Sequence, residues 1–362
     1  MTNPINVGVI GYGLAGASFH APLVAAVDRL KLAAIVTSRA DQVARDHPGV
    51  GVVASAEALI ADPRIDLIVI ATPNDLHAPL ARAALEAGKH VVIDKPFALN
   101  PAAAAELIAV AKARRRVLSV FHNRRWDSDF LTVRNMLRGG ALGEVMLAEL
   151  RWDRFRPVIK QGWREASVEE GGGMLADLGP HLIDQAIELF GLPEALTADL
   201  AAQRGGVVVD DYFELTLHYG KRRVILSGST LVAAARPRFA LHGTLGSFVK
   251  YGLDRQEPFL RAGGKAGDPG YGVEPAATFG RLTIGEGAAV AVPSARGDWR
   301  LYYEGVADAI LDGALPPVDP ADALAGLELI ALARRSAADG RTRSWTTRRP
   351  RSIRRTRLPG GS

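Results

Sequence analysis

Ile5-Asn6-Val7-Gly8-Val9-Ile10-Gly11-Tyr12-Gly13-Leu14-Ala15-Gly16 decides the fold. A short apolar run precedes three glycines spaced G-x-G-x-x-G, and the stretch from Ala15 to Ala26 then reads as a helix. Glycines let the backbone turn tightly and approach a pyrophosphate, whose charge then rests on the helix N-terminus. A merely tight turn would need only one glycine. Gly11, Tyr12, Gly13, Leu14 and Gly16 are therefore candidate contacts to a dinucleotide.

Outward from that stretch, strand and helix patterns alternate with short connections as far as His122. Lys31–Thr37 and Leu67–Ala71 read as further strands, and Pro79–Ala87 as a helix closed by Gly88. The apolar run His90-Val91-Val92-Ile93 is another strand, ending at Asp94. Pro101–Ala113 is an alanine-rich helix with Asn100 as its N-cap and Pro101 at the first helical position. Val117–Phe121 closes the series. Such alternation predicts an α/β fold whose N-terminal half, residues 1–122, is a Rossmann-type, doubly wound parallel sheet.

The pattern changes after His122. Asp127–Leu137 and Met174–Phe190 read as helices, and Val145–Trp152 as an alternating strand. Thr197–Ala202, Tyr212–Tyr219, Arg222–Gly228, Phe239–His242 and Ser247–Tyr251 follow with period-two alternation, which indicates a large, mostly antiparallel open sheet. Residues 260–298 are rich in Gly, Pro and Ala with little period and read as a loop-rich excursion. Trp299–Leu311 and Ala321–Ala338 are closing helices. Residues 123–340 thus form a second, α+β domain.

The chain of 362 residues is long enough for two sizeable cores, and its 48% apolar, 23% charged composition is that of an ordinary globular protein. It has no cysteine, which excludes disulfides, thiolate catalysis and Cys-ligated zinc. Nothing resembles a leader peptide or the long apolar run of a membrane span, so the expectation is a cytoplasmic protein without membrane contact. The net charge of +5 misleads: residues 341–362 hold eight arginines and no acid, and the rest of the chain carries −3. Arg348-Arg349-Pro350-Arg351 and Arg354-Arg355 could form an anion-binding arm. The segment's Pro, its Gly-Gly ending and its lack of interleaved aromatics favour a disordered tail and argue against a nucleic-acid partner.

Several residues carry candidate chemistry. Ligands of open α/β sheets collect at the carboxyl ends of the strands. Lys95, just past such an end, can lower the pKa of a substrate hydroxyl or polarise a carbonyl. The second strand ends Ile35-Val36-Thr37-Ser38-Arg39 rather than in an acid. A hydroxyl followed by a guanidinium suits the 2′-phosphate of NADP, so Ser38 and Arg39 favour NADP(H) while leaving NAD(H) possible. In Ala71-Thr72-Pro73-Asn74-Asp75-Leu76-His77, Thr72 and Asn74 can reach the riboses, although Asn74 or Asp75 could equally be a helix cap.

Gly171-Gly172-Gly173 opens a helix on which Asp177 and His181 share one face, with Asp184 a turn further. Glycines there let a helix start close to a cofactor. Asp177, His181 and Asp184 could also bind a metal, but such sites recruit further ligands and the eight histidines offer no obvious partner pair, so no metal is expected. Asn123 and Arg124 lie at the crossover between domains and are candidate substrate contacts. Trp163 and Arg164, in a loop before the triple glycine, could cover a nicotinamide.

Together these motifs resemble the glucose–fructose oxidoreductase, inositol dehydrogenase and rhizopine-catabolism superfamily over residues 5 to about 340. The resemblance rests on the fingerprint at 11–16, Ala71–His77, Gly88 through Pro96, and Gly171–His181. Asp94-Lys95-Pro96 departs from the family's usual Glu-Lys-Pro. With Val91–Phe97, Ser119–Leu131 and Val249–Asp254 it is similar to the bacterial branch that includes NADP-dependent scyllo-inositol dehydrogenases.

The resemblance implies hydride transfer between a nicotinamide and a secondary hydroxyl or ketone of a cyclitol, polyol or sugar. Lys95 would bind the reacting oxygen, His181 would exchange its proton, and Asp177 would orient the substrate. Thr72, Pro73, Asn74, His77 and Asp94 would line the cofactor with Lys95. The resemblance also implies a cis Lys95–Pro96 bond and a homodimer or homotetramer. An NAD-dependent glycosidase and a non-enzymatic nucleotide sensor are the competing readings.

Overall fold

In the computed structural model, residues 3–159, 167 and 171–345 are described. Trp163, Arg164 and the arginines from Arg348 onward lie outside them. The chain divides into two units, the first comprising residues 1–126, 255–271 and 298–327, the second the remainder.

The first unit is built on six parallel strands: β1 (Ile5–Ile10), β2 (Leu30–Val36), β3 (Gly51–Val53), β4 (Leu67–Ile70), β5 (His90–Ile93) and β6 (Leu118–Val120). Their order is β3-β2-β1-β4-β5-β6, with the reversal of direction beside β1 that defines a doubly wound sheet. The first crossover runs from a π-helical turn, Gly16–His20, into α1 (Ala21–Ala25). The others use α2 (Ala40–Asp46), α3 (Ala56–Ala61), α4 (His77–Glu86) and α5 (Pro101–Arg114). Asn100 caps α5 as expected, accepting the Ala103 N–H at 2.9 Å.

Because side chains alternate across a strand, β1 and β4 divide their apolar residues between two cores. Val7, Val9, Leu67 and Val69 pack with Leu23 and Val24 on one face; Ile10, Ile68 and Ile70 pack with Ala81, Leu85 and Leu107 on the other. Strand β3 was not anticipated, since Gly51-Val52-Val53 is too short to show a period.

Among its described residues, the second unit carries nine strands. They are β7 (Val145–Arg151), β8 (Ala195–Ala201), β9 (Tyr212–Tyr219), β10 (Arg222–Ser229), β11 (Phe239–Gly243), β12 (Gly246–Lys250), β13 (Gly280–Ile284), β14 (Val290–Val292) and β15 (Arg343–Ser344). Their order is β14-β13-β12-β11-β7-β10-β9-β8-β15, antiparallel apart from the β7–β10 pair. Helix α6 (Ser128–Arg138) leads into this sheet, and α7 (Met174–Phe190) lies on β9 and β10. Phe213, Leu215 and Leu217 of β9 are wholly buried, as are Leu182 and Ile183 of α7.

Residues 260–298 are not the mere excursion expected: they contain the β13–β14 pair and the end of α8 (Gln256–Arg261). The first compact unit also takes in α8, α9 (Arg300–Leu311) and the start of α10 (Pro320–Asp339). Gln256 ties these segments together, donating to the Trp126 carbonyl at 3.0 Å and accepting the Trp299 N–H at 2.7 Å. Trp299, Tyr302, Tyr303 and Val306 then fill one face of the parallel sheet. Such long-range covering leaves no local pattern to read. The segment read as a tail likewise starts with β15, paired to β8.

The second unit also buries a charged cluster. Lys250 and Glu274 pair at 3.0 Å, with their side chains 0% and 2% exposed. Ser128 and Ser294 donate to the same glutamate, and Asp254 accepts the Ser128 N–H. Burial pushes the Asp129 carboxyl up to about 6, against the pull of Arg238 and Lys250 and with the help of Asp254 and Glu274. A carboxyl with a raised folded pKa stabilises most when both states are protonated and loses that contribution as the pH climbs. Urea unfolding should therefore show the wild type losing stability relative to Asp129→Asn between pH 3.8 and about 6. A relative gain over that window would contradict the burial of an ionisable Asp129.

Candidate active site

In the first unit, the ladder of parallel hydrogen bonds fixes where each loop begins. Gly11 N–H bonds to Val36 O, Ala71 to Ile10, Asp94 to Ile70 and Phe121 to Ile93, so four loops leave one rim of the sheet. That rim carries Gly11–Gly16, Ser38, Arg39, Thr72–Asn74, Asp94 and Lys95, as the sequence predicts.

The fingerprint glycines do different jobs. A Cβ on Gly11, whose φ is +101°, would stand 2.4 Å from Ala71 O, and one on Gly16 would stand 2.1 Å from Gly11 O. Both are required by the protein's own backbone. Gly13 has nothing within 4 Å of such a Cβ, and Gly13 and Leu14 are exposed. The second glycine thus opens outward, as close approach of a pyrophosphate demands. Tyr12 points inward, 3% exposed, and donates to Asp46 at 2.9 Å; burial and that carboxylate raise its pKa. Arg39 reaches back to donate to Tyr12 O at 3.2 Å, and the Thr37 hydroxyl accepts its N–H. Its guanidinium therefore stands over the fingerprint loop with donors to spare for an anion. The rim fits a dinucleotide.

Two candidates are engaged with the protein itself. His77 is 1% exposed, and its ring nitrogens face Pro96 O at 2.8 Å and Thr72 O at 3.1 Å. It ties the loops after β4 and β5 together. Arg124 is 7% exposed, pairs with Glu257 at 2.5 Å and lies 4.8 Å from the centre of the Trp299 ring. That engagement makes it a structural cation of the returning α8–α9 segment. Asn123 is also buried, in the 3-10 turn after β6. Asp94 accepts the Lys95 N–H at 2.8 Å, and the Lys95–Pro96 bond is cis. Lys95 itself is half-buried.

Asp177 and His181 belong to the second unit, on α7. Gly173, at φ +99°, starts the helix, and a Cβ there would stand 2.3 Å from Asp210 Oδ1. Asp210 accepts the Leu175 N–H at 2.6 Å through its carboxylate and the Met174 N–H through its carbonyl. It acts as a cap from outside the helix, and burial raises its pKa. Pro180 sits inside α7, so the helix necessarily lacks the hydrogen bond to the carbonyl four residues earlier, next to Asp177. His181 is 6% exposed and lies against Trp152, with ring centres 5.6 Å apart. Asp177 pairs with Arg154 at 3.0 Å.

Sequence reasoning missed Asp210, Trp152 and Arg154. Trp152 and Arg154 follow β7, and their backbone N–H groups bond to Ser227 O and Ser229 O at the end of β10. A strand pairing, not a motif, brings them to α7. Among the described residues, no group of three or more His, Cys, Asp or Glu could hold a metal. No helix among them is long and apolar enough to cross a membrane.

Residues 5–122 match the family model described as oxidoreductase family, NAD-binding Rossmann fold, and residues 134–345 match the oxidoreductase family C-terminal alpha/beta domain. The chain belongs to this Gfo/Idh/MocA family and is an NAD(P)-dependent dehydrogenase or reductase. It is 49% identical to the uncharacterized oxidoreductase YdgJ of Escherichia coli over 343 residues, which cover 93% of this chain and 97% of that one. It is 40% identical to the scyllo-inositol 2-dehydrogenase (NADP+) IolW of Bacillus subtilis, covering 93% and 95%. Among solved structures, the oxidoreductase yvaA of Bacillus subtilis aligns with a TM-score of 0.91 at 39% identity, over 95% of this chain and 99% of that one.

The different surroundings of the glycines give a test. Gly13→Ala should fold with an unchanged melting temperature yet bind the dinucleotide at least about tenfold more weakly, because its methyl group intrudes only on the ligand. Gly11→Ala should destabilise the protein itself. Cofactor titration and thermal melting separate the two; undiminished binding by Gly13→Ala would contradict the cradle.

Proposed function

We propose that this chain is an NADP-dependent oxidoreductase interconverting a secondary hydroxyl and a ketone on a cyclitol, with scyllo-inositol as the first candidate. The observation that carries the proposal is the Asp177–His181 face of α7, with His181 set on Trp152 and Asp177 held by Arg154. It stands in a chain that also carries Lys95 at a strand end. The described likeness to an NADP-dependent scyllo-inositol dehydrogenase supports the substrate class.

When bound, the nicotinamide would accept or return the hydride. His181 would take the hydroxyl proton during oxidation and give it back during reduction, a task suited to an imidazole whose unperturbed pKa is about 6.5. Lys95 would hydrogen-bond the same oxygen and favour its developing negative charge. Asp177 would accept from a neighbouring substrate hydroxyl, with Arg154 keeping the carboxylate aimed. Ser38 and the exposed Arg39 would hold the 2′-phosphate, whose charge a guanidinium meets with paired donors. The small neutral ring of a cyclitol calls for hydroxyl recognition of this kind and not for a further fixed cation. A homodimer or homotetramer is part of the same proposal.

A screen of cyclitols, aldoses and sugar ketones against NADP(H) and NAD(H), read by coenzyme absorbance, tests the reading. Lys95→Met and His181→Ala should each lower kcat by about 10²–10⁴-fold while still binding coenzyme. Near-wild-type turnover in either would remove that residue from the chemistry. Arg39→Ala should weaken NADP about ten- to a hundredfold, the loss of charge-assisted hydrogen bonds, and leave NAD affinity unchanged. Equal losses for both coenzymes would refute its selectivity role.

A further inference from the structure

The fingerprint helix begins irregularly, and the irregularity has a chemical consequence. Gly16–His20 is π-helical, and the Ala21 N–H bonds to Gly16 O, five residues back. A π-turn inserts a residue into the helical repeat and re-aims the side chains that follow, a device concentrated at functional sites. Here the re-aimed side chain is His20, which is wholly buried.

The surroundings of His20 are aromatic, yet its nitrogens face polar partners. Phe121 lies at 4.3 Å between ring centres, and Tyr303 at 6.2 Å. His20 Nδ1 is 2.7 Å from the Tyr303 hydroxyl. Its Nε2, buried and without a hydrogen bond among the described residues, looks at Asp94 Oδ2 from 3.8 Å. The other oxygen of Asp94 accepts the Lys95 N–H. A phenylalanine would fill this space without the cost of burying two polar nitrogens, so packing alone does not account for the imidazole.

We propose that His20 is a positioning residue for Lys95: anchored by Tyr303, it keeps the Asp94 carboxylate turned toward the Lys95 backbone and so fixes where the ammonium is presented. The chain of control runs Tyr303–His20–Asp94–Lys95, from α9 through the fingerprint helix to the end of β5. It rests on the reading of Lys95 as the group that binds the reacting oxygen.

The electrostatics agree with the geometry. Burial raises the Asp94 pKa, but the His20 ring and the charges of Lys95 and His77 outweigh it and hold the carboxyl below its ordinary value. The titratable groups facing Asp94 are His20 from the π-turn, Lys95 on its own loop, His77 from α4, and Tyr302 and Tyr303 from α9. Removing His20 withdraws a partner of the charged form, so the Asp94 titration should move upward.

The test compares His20→Phe, which keeps the ring packing, with His20→Gln, whose amide carries a donor toward Asp94. Two independent readouts are used. The first is the carboxyl carbon resonance of Asp94 against pH in cofactor-free protein, identified by its loss in Asp94→Asn. The second is kcat and KM for ketone reduction, where a His181 acid gives a rate that declines only on the alkaline side. His20→Phe should raise the Asp94 midpoint and lower kcat about tenfold with little change in KM, the signature of a reacting group less well positioned. It should also add a new decline on the acid side as Asp94 protonates, and His20→Gln should restore most of the rate. Tyr303→Phe, the mildest change, should move both readouts in the same direction. Wild-type kcat in His20→Phe, or equal impairment of the Phe and Gln variants with Asp94 unmoved, would overturn the proposal. If the wild type reduces no ketone at all, the reading of Lys95 fails, while the carboxyl titration still judges the His20–Asp94 contact.

Discussion

Everything at the first unit's rim depends on the parallel hydrogen-bond ladder holding at the carboxyl ends of the strands, beyond the register shift at Val7 and Gly8 where β1 pairs with β2. The bonds from Gly11 to Val36, Ala71 to Ile10, Asp94 to Ile70 and Phe121 to Ile93 extend that ladder one step past the strands. Each of those residues is consequently fixed in height, and the loop beyond it starts from a known place. The backbone before Lys95 is held because the Asp94 N–H is still hydrogen-bonded to the neighbouring strand. Precision at a reacting atom is inherited from backbone pairing several residues away.

A second layer of control works through side chains that hold other side chains and loops in place. His77 ties Thr72 to Pro96, Asp210 caps α7 from a neighbouring loop, and Trp152 gives His181 a flat wall. Each holds in place a candidate group that would otherwise sample several rotamers. Burying polar braces is costly unless they are hydrogen-bonded, and His77 and Asp210 are. The placement of such braces around two small sets of polar side chains is the physical mark of sites kept rigid.

Much of this was legible because it is local. The fingerprint announces itself by glycine spacing, α5 by Asn100 and Pro101, and α7 by its triple glycine followed by an i, i+4 acid and histidine. What could not be read depends on pairing between distant segments. β3 is three residues long; β13 and β14 lie in a Gly- and Ala-rich stretch without period; α8 and α9 return to the first sheet after an intervening unit. Arg154 reaches Asp177 because β7 runs parallel to β10, a partnership that no window of sequence contains. Arg124 and His77, read beside motifs as ligand contacts, are engaged with distant parts of the protein, which no motif announces. His20 left one faint trace, a histidine on the inward side of an otherwise apolar helix.

The central claim is chemical: a carbon-bound hydrogen of a cyclitol leaves as hydride and arrives on the nicotinamide without exchanging with water. A single turnover of scyllo-inositol deuterated at its carbinol carbons, with NADP+ and the wild-type protein, measures that directly by mass spectrometry of the recovered coenzyme. The account predicts one deuterium on the reduced nicotinamide and slower formation than with the unlabelled substrate. Reduced coenzyme that carries no label, or no reduction at all across the cyclitols, would contradict it.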